Sequence, residues 1–173
     1  EKPEWKKYYD RIIRHIQKVM PQFFDFEFEN PSANDKYVML NWYDNTKDYL
    51  FGPHQISDGS LRYMALTALL LQPPEMLPGV IVLDEPELGL HPTALAELAA
   101  MIRMVSANCQ VIIATQSTRL VDEFEPDQIV VVERDEENHC SQFKRLDKDK
   151  LKDWVTHYSM SELWEKNVLG GQP

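Results

Sequence analysis

The sequence predicts an α/β fold, a mostly parallel sheet with flanking helices and a small antiparallel region near the N-terminus. Three observations carry this expectation. From Ile56 onward, apolar runs of strand length at 80–83, 111–115 and 129–133 alternate with helical stretches, an order that makes successive strands parallel and lays helices over them. Before Ile56, aromatic-rich segments are separated by Asn, Asp, Ser and Pro, the pattern of short antiparallel strands and turns. Finally, Val80-Ile81-Val82-Leu83 ends abruptly in Asp84-Glu85-Pro86. Consecutive aliphatic residues suit a strand covered on both faces, whereas adjacent carboxylates are tolerable only where the strand emerges. Ligands of open α/β sheets bind at that edge.

The elements follow in order. Trp5, Tyr8, Ile12, Ile13, Ile16 and Val19 recur at helical spacing, which predicts a helix over 3–20 with one buried face, ended by Pro21. Its other face carries Lys6, Lys7, Arg11, Arg14 and Lys18, and a solvated face explains this stripe more economically than a phosphate contact. Phe23, Phe24, Phe26 and Phe28, then 37–43 and 49–51, predict the antiparallel strands, with packing rather than base stacking as the cheaper account of their aromatics. Residues 61–71 are almost continuously apolar and predict a largely buried helix, stopped by Pro73-Pro74. Pro92 opens a helix whose Leu95, Leu98, Ala99, Ile102 and Val105 share one face. A short helix at 120–124, an acidic turn at 135–138 and a strand near 142–146 follow, then a helical tail over 148–173 in which Gly170-Gly171 reads as a flexible linker.

Composition bounds the function. A chain of 173 residues, 43% hydrophobic and 27% charged, is enough for one domain with a sizeable core. Its apolar stretches fall far short of the roughly 20 residues that span a bilayer, so no membrane role is expected. There is no secretory signal pattern, and Cys109 and Cys140 lack metal or redox spacing, which points to a cytoplasmic location. A formal net charge of −10 opposes unaided nucleic-acid binding, leaving DNA contact to other segments. The chain begins at Glu1 inside an amphipathic helix, and the expectation is a piece of something longer.

Upstream of the carboxylates, Ile56-Ser57-Asp58-Gly59-Ser60-Leu61-Arg62 opens the apolar helix. Such a helix start offers backbone N–H groups, hydroxyls and positive dipole character to an anion, while Ser57 or Asp58 as a plain N-cap is the simpler account. The order of features weighs toward the anion. A helix-opening Ser-x-Gly-Ser, a buried helix and an apolar strand ending in Asp-Glu-Pro resembles the P-loop NTPases of ABC type, in the SMC, RecF and OLD-like branch of AAA-type ATPases. Ser57 to Ser60 match the signature motif and Val80 to Glu85 the Walker B strand. Residues 87–92, Glu-Leu-Gly-Leu-His-Pro, resemble the D-loop of the RecF and OLD-like relatives, and Gln116 stands at the switch position. The match covers 56–133 well and 1–55 loosely.

The resemblance implies a cytoplasmic ATPase using ATP and Mg²⁺. Asp84 is expected to hold the metal and Glu85 to act as base on the attacking water. Gln116 is expected to orient that water or the γ-phosphate; it departs from the commoner His, so a mechanism requiring an imidazole is in doubt. Ser57, Asp58, Gly59 and Ser60 are expected to contact ATP held by the opposite head in a head-to-tail homodimer. Two readings stay open for Arg62, assistance to that contact or a structural ion pair. Two also stay open for His91, a cap on the next helix or a role at the dimer seam. His54, just before the signature, has a slightly better claim on the interface than His15, His139 and His157, and no histidine pair has metal-ligand spacing.

None of the six glycines begins the phosphate loop Gly-x-x-x-x-Gly-Lys-Ser/Thr. The expectation is therefore the carboxyl-terminal half of one ATPase head, with residues 1–55, 56–147 and 148–173 as its small-sheet region, core and tail. Its missing Walker A half is the expected partner, and alone it is expected to be inactive. DNA repair, DNA processing and phage defence are the processes the resemblance implies. A non-catalytic interaction module is the alternative. A transporter ATPase is disfavoured because the signature reads Ser-Asp-Gly-Ser.

Overall fold

In the computed structural model, which describes residues 3–29, 38–135 and 137–171, the first helix spans Pro3–Val19 (α1). It lies beside a three-stranded antiparallel sheet of order β1 (Phe23–Glu29), β2 (Met39–Asp44) and β3 (Leu50–Phe51). Tyr37, expected in the second strand, lies outside the described residues. The aromatics act as packing groups: Phe23 stacks on Trp42 at 5.9 Å between ring centroids and Trp42 on Phe51 at 4.5 Å. Together with Ile13, Ile16, Met20 and Met64 they build one core. Trp5 departs from the expected buried face and is 49% exposed, because it lies beyond the part of α1 that meets this core.

The chain divides into two compact units, Glu1–Ala114 and Thr115–Pro173. In the first, α2 (Asp58–Leu71) and α3 (Pro92–Val105) pack on each other and on α1. Leu98, Ala99 and Met101 of α3 are fully buried, as are Tyr63, Thr67 and Leu71 of α2. The expectation of a largely buried helix over 61–71 holds for one face, which buries Tyr63, Met64, Leu66, Thr67, Leu70 and Leu71, while Leu61 and Leu69 are both 37% exposed.

The strand that carries the carboxylates is β4 (Val80–Asp84), paired in parallel with β5 (Gln110–Ala114), Val80 opposite Gln110 and Asp84 opposite Ala114. The α3 crossover makes the pair parallel, as expected. A two-sided cover was expected for β4, and the structure corrects this. Ile81 and Leu83 are buried, while Val80 is 47% and Val82 68% exposed. Ile112 on β5 is also exposed. One apolar face of the pair is thus open among the described residues.

A polar junction ties α1, α2 and α3. The Glu97 carboxylate lies 2.9 Å from Lys18 Nζ and 3.4 Å from His15 Nδ1, and the Tyr63 hydroxyl donates to the His15 carbonyl at 3.3 Å. Burial pushes the Tyr63 phenol up to about 12, assisted by the Glu97 charge. Burial also lowers the His15 pKa, reinforced by Lys18 and opposed by Glu97. A histidine lowered in the fold binds its proton more readily when unfolded, so it costs nothing at high pH. Its cost sets in as pH falls through the unfolded value of about 6.5. Melting temperature is therefore expected to drop between neutral and mildly acid pH, and His15→Gln to flatten that drop in a pH series of thermal melts.

In the second unit, α4 (Thr118–Val121), β6 (Val130–Arg134), β7 (Ser141–Arg145), α5 (Lys148–Val155) and α6 (Met160–Glu165) follow in order. Leu146, Met160, Leu163 and Leu169 form its core with Val131 and Trp164 packed against it. The β-α-β-α-β order led to the expectation that β6 continues the parallel sheet. Instead β6 pairs antiparallel with β7, Val132 opposite Phe143, because the turn at Asp135 folds the chain directly back. The acidic turn is confirmed at Asp135, whose carboxylate accepts the Glu137 and Asn138 N–H groups; residue 136 lies outside the described residues. The Gly170-Gly171 linker expectation is corrected too, since the Gly171 N–H donates to the Glu133 carboxylate at 2.9 Å.

Candidate functional site

The carboxylates stand where β4 stops. Asp84 is the last ladder residue and is exposed, whereas Glu85 is half-buried. The Glu85 N–H still reaches the Ala114 carbonyl at 2.8 Å, but its φ of 42° lies in the left-handed region. For a residue other than glycine this conformation costs on the order of 1–3 kcal/mol, so surrounding contacts must hold it. It swings the chain out of the strand direction, and buried Pro86 follows. The Leu88 N–H closes back on the Glu85 carbonyl at 3.2 Å, and Leu90 on Glu87 at 2.9 Å. Gly89, with φ of 76°, makes the second of these turns without a Cβ penalty.

The loop ends at His91, the N-cap of α3, with Pro92 in the first turn. The His91 Nδ1 accepts the Thr93 N–H at 3.3 Å, which realises the capping reading of this residue. At the start of α2, Ser57 plays the same part: its Oγ accepts the Ser60 N–H at 3.1 Å and donates to Ser60 Oγ at 2.8 Å. Asp58 is exposed in the first turn, where its charge complements the helix dipole.

The two loops meet through backbone. A Cβ on Gly59 would fall inside the contact distance of the Gly89 carbonyl oxygen, so only glycine lets the α2 start lie against the Gly89 turn. Three residues on, Arg62 Nη1 donates to the Glu85 carbonyl at 3.3 Å, a partner that neither sequence reading of Arg62 named. Arg62, Asp84 and Glu85 line one open pocket of about 330 Å³, with Leu66, Val82 and Leu88 as apolar wall.

The fold thus gathers Ser57 to Arg62 with Asp84 to His91 at one end of the first unit. Gln116 belongs to the second unit, exposed on a loop steadied by the Ser117 N–H donating to Thr115 Oγ1 at 3.0 Å and by Ser117 capping α4. His54 is exposed in a short turn before α2. Sequence reasoning missed the Gly59–Gly89 approach and the Arg62–Glu85 bond. The available signals were a glycine in each of the two motifs and an arginine one helical turn after Asp58.

Residues 2–122 match the family described as AAA domain, putative AbiEii toxin, Type IV TA system. Energy-coupling factor transporter ATP-binding protein EcfA2 of Staphylococcus saprophyticus is 29% identical over 116 residues, covering 65% of this chain. The match spans only 38% of that relative's length. In fold, the chain is similar to a structure from work on ATP-driven dimerisation and DNA-stimulated activation of SMC ATPases. The TM-score is 0.63 at 14% identity, covering 88% of this chain and 91% of that one. It is also similar to the Smc head domain of Pyrococcus furiosus bound to the C-terminal domain of ScpA, with TM-score 0.64 and 15% identity over 87% of this chain and 37% of that one. No described helix is long and apolar enough to cross a membrane. By the extent of the family match, the chain belongs to the AAA domain, putative AbiEii toxin, Type IV TA system family, and its α/β fold is like that of SMC ATPase heads.

Proposed function

We propose that this chain is the carboxylate-and-signature half of an ATP-hydrolysing head that works as a head-to-tail dimer. The observation that carries the reading is the shared end of the first unit, where Asp84 and Glu85 leave β4 beside Arg62 and the Ser57 helix start rests on the Gly89 turn. Phosphoryl transfer asks the protein for placement and charge stabilisation rather than covalent chemistry.

The donor set fits Mg²⁺ with a nucleotide. No group of three or more His, Cys, Asp or Glu that could cage a metal occurs among the described residues. One or two carboxylates, completed by phosphate oxygens and water, are the usual provision for Mg²⁺ at nucleotide sites. When bound, Mg²⁺ and ATP supply the reactive phosphoryl group and its charge neutralisation. Asp84 holds the cation directly or through water. Glu85 takes the proton of the attacking water, a role that contributes about 10²- to 10⁴-fold. Gln116 keeps the switch role that the resemblance implies, through an amide that can donate and accept hydrogen bonds but neither takes up a proton nor carries charge. Ser57, Asp58, Gly59 and Ser60 face ATP of the opposite head, and His91 lies at the seam with Nε2 free of its capping duty.

The grip on the β- and γ-phosphates comes from a separate half bearing Gly-x-x-x-x-Gly-Lys-Ser/Thr. Exposed Val80, Val82 and Ile112 support this, because an open apolar sheet face is what another layer of the same head covers. The likeness to a structure from work on ATP-driven dimerisation and DNA-stimulated activation of SMC ATPases supports a head whose closure regulates an attached activity in DNA repair, DNA processing or phage defence. DNA is reached through other segments, in the cytoplasm. The test is ATP turnover by this polypeptide alone and by the head completed with its phosphate-loop half. Turnover is expected only in the completed head. A completed head that binds ATP and never hydrolyses it would leave the non-catalytic module as the function.

A further inference from the structure

We propose that Arg62 is a positioning residue: its bond to the Glu85 carbonyl fixes the backbone that aims the Glu85 carboxylate, tying the signature helix to the catalytic carboxylate within one subunit. The proposal rests on the ATPase reading above. Glu85 sits at φ 42°, a conformation that does not sustain itself in a residue with a Cβ. Two of its ties run to the neighbouring strand and along its own loop, the N–H to Ala114 of β5 at 2.8 Å and the carbonyl to the Leu88 N–H at 3.2 Å. Arg62 brings a tie to the same oxygen from α2, at 3.3 Å.

The surrounding geometry makes that tie transmit movement. Arg62 follows Gly59 by one helical turn, and Gly59 is wedged against the Gly89 carbonyl in the same loop that begins at Glu85. The loop is therefore gripped at both ends by the first two turns of α2. Any shift of the α2 start, where the opposite head's ATP would press, is passed to residue 85 through Arg62 and to residue 89 through Gly59. A guanidinium has five donors and spends one on the Glu85 oxygen, which leaves its charge in the pocket beside Asp84 and Glu85. This placement turns Arg62 toward its own subunit's carboxylates.

Steady-state kinetics of the complete ATPase separate this role from a phosphate contact. Arg62→Ala is expected to lower kcat about 10- to 100-fold, the scale of a misplaced reacting group. The ATP concentrations for half-maximal turnover and for dimerisation should change less than about twofold, since no binding contact is lost. Arg62→Lys, which can still donate to the carbonyl, should recover part of kcat. In a Glu85→Gln background, Arg62→Ala should cause no further loss, because it acts through Glu85. A higher ATP requirement for dimerisation with kcat retained would overturn the proposal in favour of a phosphate contact. A loss of kcat matched by a lowered melting temperature, and not recovered by Lys, would overturn it in favour of plain scaffolding. Full kcat in Arg62→Ala overturns it alone, whereas an unaltered protein without turnover overturns the ATPase reading and the proposal together.

Discussion

Glu85→Gln in the complete ATPase is expected to cut ATP turnover by about 10²- to 10⁴-fold while ATP-bound dimers accumulate. The substitution is nearly isosteric and removes the negative charge, and with it the capacity to accept a proton. The backbone ties survive it, since the bonds from Leu88 and Arg62 end on the main-chain carbonyl and the bond to Ala114 begins on the main-chain N–H. Asp84, the proposed metal ligand, remains at the strand end. Chemistry is therefore lost without binding, and heads that close on ATP have no route to open by hydrolysis. Phosphate release together with size-exclusion chromatography in ATP measures both effects. Unchanged turnover would remove Glu85 from the role of base.

Gly59→Ala is expected to destabilise the fold by about 1–3 kcal/mol, the range for overpacking a well-filled site. The sign decides the matter, because helix propensity alone makes Ala better than Gly by about 1 kcal/mol in a helix. The opposing term is steric: the new Cβ would meet the Gly89 carbonyl, a backbone group in a turn at φ 76° that has little freedom to retreat. Gly79 is the control, with nothing within 4 Å of an added Cβ. Thermal melts of both variants should show a clear loss for Gly59→Ala and none for Gly79→Ala. A stabilised Gly59→Ala would mean that the two loops are not in contact.

How much of this was legible in the sequence depends on the range of the interaction. The apolar run into Asp84-Glu85 announced both the strand and its exit, because burial pattern and charge are properties of a few consecutive residues. Pro92 and Ser57 likewise announced helix starts, and both helices begin there or one residue away. The exposure of Val82 was not legible, since an aliphatic run reads the same whether its second cover lies in this chain or in another. The pairing of β6 with β7 was missed for a related reason. A short turn at Asp135 offered an adjacent strand, and local antiparallel closure took the place of a distant parallel neighbour. The site followed the same division. Asp84, Glu85 and the two helix caps came from local chemistry, whereas Gly59 against Gly89 and Arg62 on Glu85 join residues 30 and 23 positions apart.

The reading of the glycine-serine helix start changes accordingly. Ser57 and Ser60 cap α2, and Gly59 permits its contact with the loop, so each has a structural task within its own subunit. The second task we propose, facing ATP of the opposite head, would use the same surface. That end of α2 and the loop after the carboxylates form one packed block, so pressure on one is felt by the other.

Subunit mixing tests most directly whether Asp84 and Glu85 work with the Ser57 helix of another head. Complete proteins carrying Glu85→Gln and Ser57→Arg are each expected to be inactive, and both should be confirmed folded, since loss of the Ser57 cap alone costs about 1 kcal/mol. In a head-to-tail dimer of the two, one composite site combines both defects and the other is intact. Co-expression should therefore restore about a quarter of the unaltered turnover, from the single good site in the mixed half of the dimers. A mixture as inactive as its parents, with mixed dimers demonstrated, would contradict the composite site.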